Sequence, residues 1–271
     1  MTSVTVAQLA LDVDDRAANG AAIERAVREA PRGGVVVLPE LANTGYCFAT
    51  QAESERAAEP LDGPTVTRLR ALAAERDSLV VCGIAESAAG GPFNTAVAVD
   101  RSGLLGSYRK VHLWDREPEH FTPGHAPPTV LDTRFGRIGL VICYDLEFPE
   151  WPRMAALAGA ELLCAPVNWP ATDRPAGERP IEQVAAQAAA SASRFAVAVA
   201  DRAGQERGVD WVGGSIVVAQ DGYPRTPAAL GTPALLTAEI DIAASRDKHW
   251  AERNDAFADR RPQLYRCQDA P

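Results

Sequence analysis

Three polar side chains stand at the ends of apolar, strand-like runs: Glu40 closing VVVLPE, Lys110 in GSYRKVHL, and Cys143 closing GLVICY. Together they offer a carboxylate, an ammonium and a thiol, and strand ends are where α/β sheets build their sites. A thiol of ordinary pKa, about 8.5, is mostly protonated at neutral pH, so a nucleophilic cysteine needs a base or a cationic neighbour. Glu40 and Lys110 supply one of each. The competing reading of Cys143 is core filling, since a buried cysteine often behaves as a small hydrophobe. Leu140, Val141 and Ile142 before it read as the last residues of a strand covered on both faces.

These residues lie in the stretches LPELANTGY, YRKVHLWDREPEHFTPG and ICYDLEFPEWPR. In order and context the three resemble the nitrilase, or carbon–nitrogen hydrolase, superfamily. GGSIVVAQDG and RRPQLY extend the match over essentially the whole length. The resemblance implies that Glu40, Lys110 and Cys143 form a catalytic triad. Cys143 would attack a carbonyl or nitrile carbon. Glu40 would take the thiol proton, return it to the departing nitrogen and later activate water. Lys110 and the backbone N–H of Tyr144 would hold the developing oxyanion. A second glutamate, expected before an F-x-P-G element, helps to position the substrate and the lysine. Counted from Phe121 and Gly124 it is Glu117, with Glu119 as the alternative. Either one also reads as a solvated carboxylate before a Pro-Gly turn.

The segment CYDLEFPE resembles the amidase branch more than nitrilases proper or carbamoylases. The implied substrate is a small carboxamide, converted to carboxylic acid and ammonia through a cysteine thioester. A nitrilase or N-carbamoyl hydrolase, an acyltransferase and a non-catalytic binding scaffold are the alternatives. Tyr46, Tyr144 and Trp169 fall where the family motifs place the pocket wall, with ordinary core packing as their plain alternative. No cofactor and no metal are implied. A homodimer or larger homo-oligomer is, with the DRRPQLY tail near an interface. Two positions depart from the family pattern: Asp201 where asparagine is frequent, and Trp211 where phenylalanine is more usual.

The other reactive residue types point elsewhere. Cys82 in LVVCGIAE and Cys164 in ELLCAPVN sit inside apolar runs and read as core. Cys47 follows the Glu40 motif near the expected pocket wall, and Cys267 is a tail thiol. His112, His120, His125 and His249 show no metal-ligand spacing. The pairs Gly33-Gly34 and Gly213-Gly214 lack the Lys-Ser/Thr of a phosphate loop and read as turns.

Composition sets the class in which this chemistry works. With 46% apolar and 23% charged residues among 271, the chain has the balance of a soluble globular protein. A net charge of −9 argues against nucleic-acid and anionic-membrane partners, both of which select a basic surface. Five cysteines without a CxxC pair do not form a disulfide framework or a zinc site, so they read as reduced thiols in a cytoplasm. The beginning, MTSVTVAQLALDVDD, lacks the charge and apolar run of an export signal, and no stretch is long enough to span a bilayer.

Elements must bring three distant residues together. VTVAQLAL leads to a helix opened by Asp14 or Asp15 with Ala17, Ile23, Ala26 and Val27 on one face, then to GGVVVLPE. TVTRLRALAAERD, a second helix, precedes LVVCGIAE. The runs FNTAVAVD, LLGSYRKVHL, TVLDT and RIGLVICY then follow as strands without intervening helices. Helices near 150–159 and 178–194 alternate with ELLCAPVN and FAVAVAD, NWPATDRPAGERP is a surface loop, and GGSIVVAQ and ALLTAEID close the pattern. Two mixed sheets with helices on their outer faces satisfy this order, an α/β four-layer α-β-β-α sandwich. No linker or repeat marks a boundary, which gives one domain over 1–271 with a polar tail from about 245.

Overall fold

The computed structural model describes residues 1–265. The chain opens with β1 (Thr2–Ala10), α1 (Arg16–Glu29), β2 (Val35–Val37), α2 (Gln51–Ala57), α3 (Pro64–Arg76), β3 (Leu79–Ala88), β4 (Gly91–Asp100) and β5 (Gly103–Arg109). The middle carries β6 (Thr129–Thr133), β7 (Gly136–Leu140), α4 (Glu150–Leu157), β8 (Leu162–Pro166), α5 (Ile181–Ser193) and β9 (Ala196–Ala200). Then come β10 (Arg202–Ala203), the hairpin β11 (Gln205–Glu206) and β12 (Val209–Asp210), β13 (Ile216–Val218) and β14 (Ala234–Ile240).

The larger sheet runs β10-β1-β2-β3-β4-β5, with β14 also paired to β1. It is parallel from β1 to β3 and antiparallel from β3 to β5. The second runs β13-β9-β8-β7-β6, parallel through its centre. The protein is thus α/β, built on two mixed sheets with helices. Central strands such as Val35–Val37 and Ala196–Ala200 are buried at every position, which is why they read as unbroken apolar runs.

Alternate residues of the first sheet enter different cores. Val4, Val6, Val35, Val37, Leu79 and Val81 share one core with the second sheet and with Ala155 and Ala156 of α4 and Ala186 and Ala190 of α5. Leu9, Val36, Val80 and Val97 join a separate core with Ile23 and Val27 of α1 and Leu69 and Leu72 of α3. The period of two along a strand produces this division.

Local chemistry sets the helix limits. Asp15 caps α1 by accepting the Ala18 N–H at 2.9 Å, and Pro64 opens α3. The face of α1 differs from the expectation at one residue. Ala17 is exposed and Asn19 is buried instead, exchanging two hydrogen bonds with the Asp12 backbone at 2.8 and 2.9 Å.

Candidate active site

Glu40, Lys110 and Cys143 each lie one to three residues beyond a strand: after β2, β5 and β7 respectively. Pro39 has no N–H to continue the β2 ladder. The chain there bends, with Leu38 N–H bound to Val81 O at 2.8 Å and Gly83 N–H to Pro39 O at 3.0 Å. Lys110 is clamped on both sides of its peptide unit: its N–H donates to Asn94 O at 2.8 Å, and its C=O accepts the Gly124 N–H at 2.7 Å. Cys143 begins a short 3-10 turn, Cys143–Glu147. Two non-glycine residues at this locus, Leu41 (φ 47°) and Cys143 (φ 46°), occupy the left-handed region. Such strain, about 1–3 kcal/mol each, concentrates where surrounding structure over-determines a functional geometry.

The Lys110 ammonium is fully buried and sits between two carboxylates, 2.8 Å from Glu40 Oε1 and 2.8 Å from Glu117 Oε1. Asn94 Nδ2 also donates to both, at 2.7 Å to Glu40 and 3.4 Å to Glu117. Glu117 Oε2 accepts the Trp114 backbone N–H at 2.9 Å. Glu119 lies on the surface, paired with Arg116 at 2.7 Å. Of the two glutamates expected before the Pro-Gly turn, the structure therefore brings Glu117 to Lys110 and leaves Glu119 outside.

Burial governs the electrostatics. It pushes the Glu40 carboxyl up to about 7; Lys110 opposes that shift and Glu117 reinforces it. Burial pulls Lys110 down, but Glu117 and Glu40 together outweigh it and hold the ammonium above its ordinary range. The Cys143 thiol is pushed well up by burial and then by Glu40, while Lys110 pulls it down. The resting group is a thiol, so attack requires a base. Glu40 Oε2, buried and without a protein hydrogen bond, is the carboxylate oxygen free to act as one.

Cys143 lines a cavity of about 250 Å³ with Tyr144, Asn168 and Trp169. Glu117 and Tyr46 line a neighbouring cavity of about 440 Å³, and Trp114 and Pro170 border both. Tyr46 stands edge-on to Trp211 at 5.4 Å, and Trp211 in turn lies under the Arg202 guanidinium at 4.5 Å. Burial, then Glu117, Glu40 and Cys143, raise the Tyr46 phenol, placing that side chain in the field of the cluster. Asp201 accepts N–H bonds from Trp169 at 3.0 Å, Arg202 at 2.8 Å and Gly214 at 2.7 Å. An asparagine amide turned toward these donors would lose acceptors, which explains a carboxylate at this position. Burial nevertheless pushes Asp201 up to about 7.

Cys82 and Cys164 are buried within β3 and β8, Cys47 is half-buried beside the larger cavity, and Cys267 lies outside the described residues. Among the described residues no group of three or more His, Cys, Asp or Glu is placed to hold a metal ion. Sequence reasoning missed Asn94, Asn168 and Trp114. A signal existed for Asn94, a lone amide in the apolar run FNTAVAVD. Asn168 ends the run ELLCAPVN; its Nδ2 holds Glu40 O at 3.0 Å and its C=O accepts the Cys143 S–H at 3.7 Å.

Comparison with known proteins gives the family. The sequence profile of the carbon–nitrogen hydrolase family matches residues 3–248. A nitrilase from Pyrococcus abyssi is 33% identical over 98% of this chain and 99% of its own length. An N-carbamoylputrescine amidase from Arabidopsis thaliana is 31% identical over 93% of this chain and 90% of its own. Among solved structures, an amidase from Nesterenkonia sp. AN1 superposes with a TM-score of 0.78 at 27% identity, covering 98% of this chain and 99% of that one. A glutamate-to-glutamine variant of that amidase carries acrylamide added at its active-site cysteine. With most of its length matched by the family profile and by relatives of nearly equal extent, the chain belongs to the carbon–nitrogen hydrolase family.

Proposed function

We propose that this hydrolase is an amidase that cleaves a small carboxamide through a thioester on Cys143. Glu40 removes the thiol proton as sulfur attacks the carbonyl carbon, then delivers it to the nitrogen, and the C–N bond breaks to release ammonia or an amine. Glu40 next takes a proton from water, whose oxygen attacks the thioester; the carboxylic acid leaves and the thiol is restored. Lys110 and the Tyr144 N–H hold the oxyanion at both stages, and Glu117 keeps Lys110 in place. Tyr46 and Trp169 form walls for the substrate. The observation that carries this reading is one buried ammonium shared at 2.8 Å by Glu40 and Glu117, beside a cysteine in a cavity wall.

The test is a panel of amides, nitriles and N-carbamoyl compounds with ammonia detection, run on wild type, Cys143→Ala and Glu40→Gln. Intact-mass spectrometry on the same samples follows the acyl-enzyme. Amide turnover with a thioester adduct, lost in Cys143→Ala, is the expected result. Full activity in Cys143→Ala overturns the assignment. Nitrile hydrolysis is the second reading, favoured by the Pyrococcus abyssi relative, and faster ammonia release from nitriles would establish it.

We infer also that the layers stack helix, sheet, sheet, helix as one domain, supported by the two separate cores and by the family match over 3–248. Free thiols at Cys47, Cys82, Cys143 and Cys164 fit a reducing cytoplasm, and among the described residues no helix is long and apolar enough to cross a membrane. Self-association as a homodimer or larger assembly is supported by exposed Met154 and Leu157 on α4 and Ile181 and Val184 on α5.

A further inference from the structure

His112 and Asp145 occupy matching places: each follows a reacting residue by two positions, His112 after Lys110 and Asp145 after Cys143. Asp145 is fully buried, and its carboxylate has four donors. Oδ1 accepts the His112 backbone N–H at 3.2 Å and pairs with His112 Nδ1 at 2.7 Å. Oδ2 accepts the Tyr108 hydroxyl at 2.8 Å and the Ile142 N–H at 3.0 Å. Four donors fill the acceptor sites of an ionised carboxylate. Because that carboxylate only accepts, His112 Nδ1 carries the proton.

Asp145 closes the cysteine turn from within. Its own N–H donates to Ile142 O at 3.0 Å while its side chain takes the Ile142 N–H, so two reciprocal bonds span Cys143 and Tyr144. Cys143 holds its left-handed φ of 46° inside that span. The other oxygen reaches across to the chain just past Lys110. There the His112 ring stacks on Phe148 at 3.9 Å and meets Trp151 edge-on at 4.7 Å. Trp151 Nε1 donates to Tyr108 Oη at 2.9 Å.

We propose that Asp145 is a positioning residue that clasps the turn bearing Cys143 and the Tyr144 N–H to the strand end bearing Lys110. One side chain sets the thiol, the backbone oxyanion donor and the ammonium in a single frame. Without it the sulfur and the oxyanion donors keep their chemistry but lose their mutual alignment, the component of catalysis most sensitive to small displacements. This inference rests on Cys143 being the nucleophile.

The test compares Asp145→Asn, His112→Gln and Tyr108→Phe with wild type and Cys143→Ala. It measures kcat, KM, thermal midpoint and the rate of Cys143 alkylation by iodoacetamide. Asn at 145 turns a donor toward other donors, and Gln at 112 cuts the ring tether. Both should lower kcat by about tenfold or more, with KM within about threefold and with alkylation undiminished. Tyr108→Phe removes one bond to the same carboxylate but leaves the Ile142 and His112 tethers, so its kcat should fall less than in Asp145→Asn or His112→Gln even where its thermal midpoint falls as far. If Asp145→Asn does not fold, His112→Gln carries the same comparison. A kcat loss that follows the thermal midpoint alike in all three, or a wild-type kcat in both Asp145→Asn and His112→Gln, overturns the clasp. An active Cys143→Ala would instead remove the nucleophile reading on which the clasp stands, whereas an inactive Cys143→Ala beside wild-type kcat in both Asp145→Asn and His112→Gln refutes the clasp alone.

Discussion

Glu40 is the residue whose protonation sets the rate in this scheme, and its environment puts that protonation in a measurable range. Burial holds its carboxyl up at about 7 against the pull of Lys110. Only the ionised form accepts a proton from Cys143, so kcat/KM should fall as pH drops below about 7, approaching tenfold per unit as the base becomes protonated. A pH–rate profile from 5 to 9 checks this; a flat profile down to pH 5.5 would assign the base elsewhere. The residue types and their order in the chain were legible beforehand, because an acid, an amine and a thiol at strand ends are conspicuous among apolar runs. The roles of Asn94 and Asn168 were not, even though Asn94 is conspicuous in its apolar run, since an amide has no chemistry of its own to announce and acquires its role from the partner it meets. Glu117 and Glu119 are chemically identical in the sequence. The count from Phe121 and Gly124 selected Glu117, and the path of the chain gives the reason: one meets a buried ammonium and the other an exposed Arg116.

Elements place these side chains through close backbone contacts. β3 runs against the bend after β2 so tightly that a Cβ on Gly83 would lie 2.4 Å from Glu40 Cα, 2.7 Å from Leu41 N and 2.8 Å from Pro39 O. Gly83→Ala should therefore displace the Glu40 segment, costing about 1–3 kcal/mol of stability and lowering kcat in the molecules that remain folded. Denaturant unfolding paired with kcat measures both, and wild-type values for the pair would show that this contact does not place Glu40. The β-α-β opening, the consecutive middle strands and α5 were readable from apolar periodicity. α2 was not: it has seven residues, only Ser54 among them is buried, and it depends on the Thr50 cap, so no apolar stripe marks it. The apolar runs also overstate the strands. β2 stops at Val37 and β5 at Arg109: Leu38 and Lys110 each keep one N–H bond to the neighbouring strand as the chain turns toward the site.

At the scale of the whole molecule, α4 and α5 leave apolar side chains uncovered, and the proposed self-association would bury them. Met154 and Leu157 are each 41% exposed, and Ile181 is 66% exposed. Leu157→Glu should shift sedimentation at micromolar concentration from an oligomer toward the mass of one chain, whereas an unchanged distribution would place the contact on another face. The sequence by itself determined the family chemistry, the α/β alternation and the apolar surfaces of the strands, because residue type and short-range periodicity are local properties. The tertiary structure alone decided that Glu117 and Glu40 share one Lys110 ammonium, how far burial lifts Glu40, and that Asp145 links the cysteine turn to His112. Each of those depends on groups 7, 33 or 70 residues apart meeting where water is excluded, and a charge there takes its energy from its neighbours and from burial rather than from its own residue type.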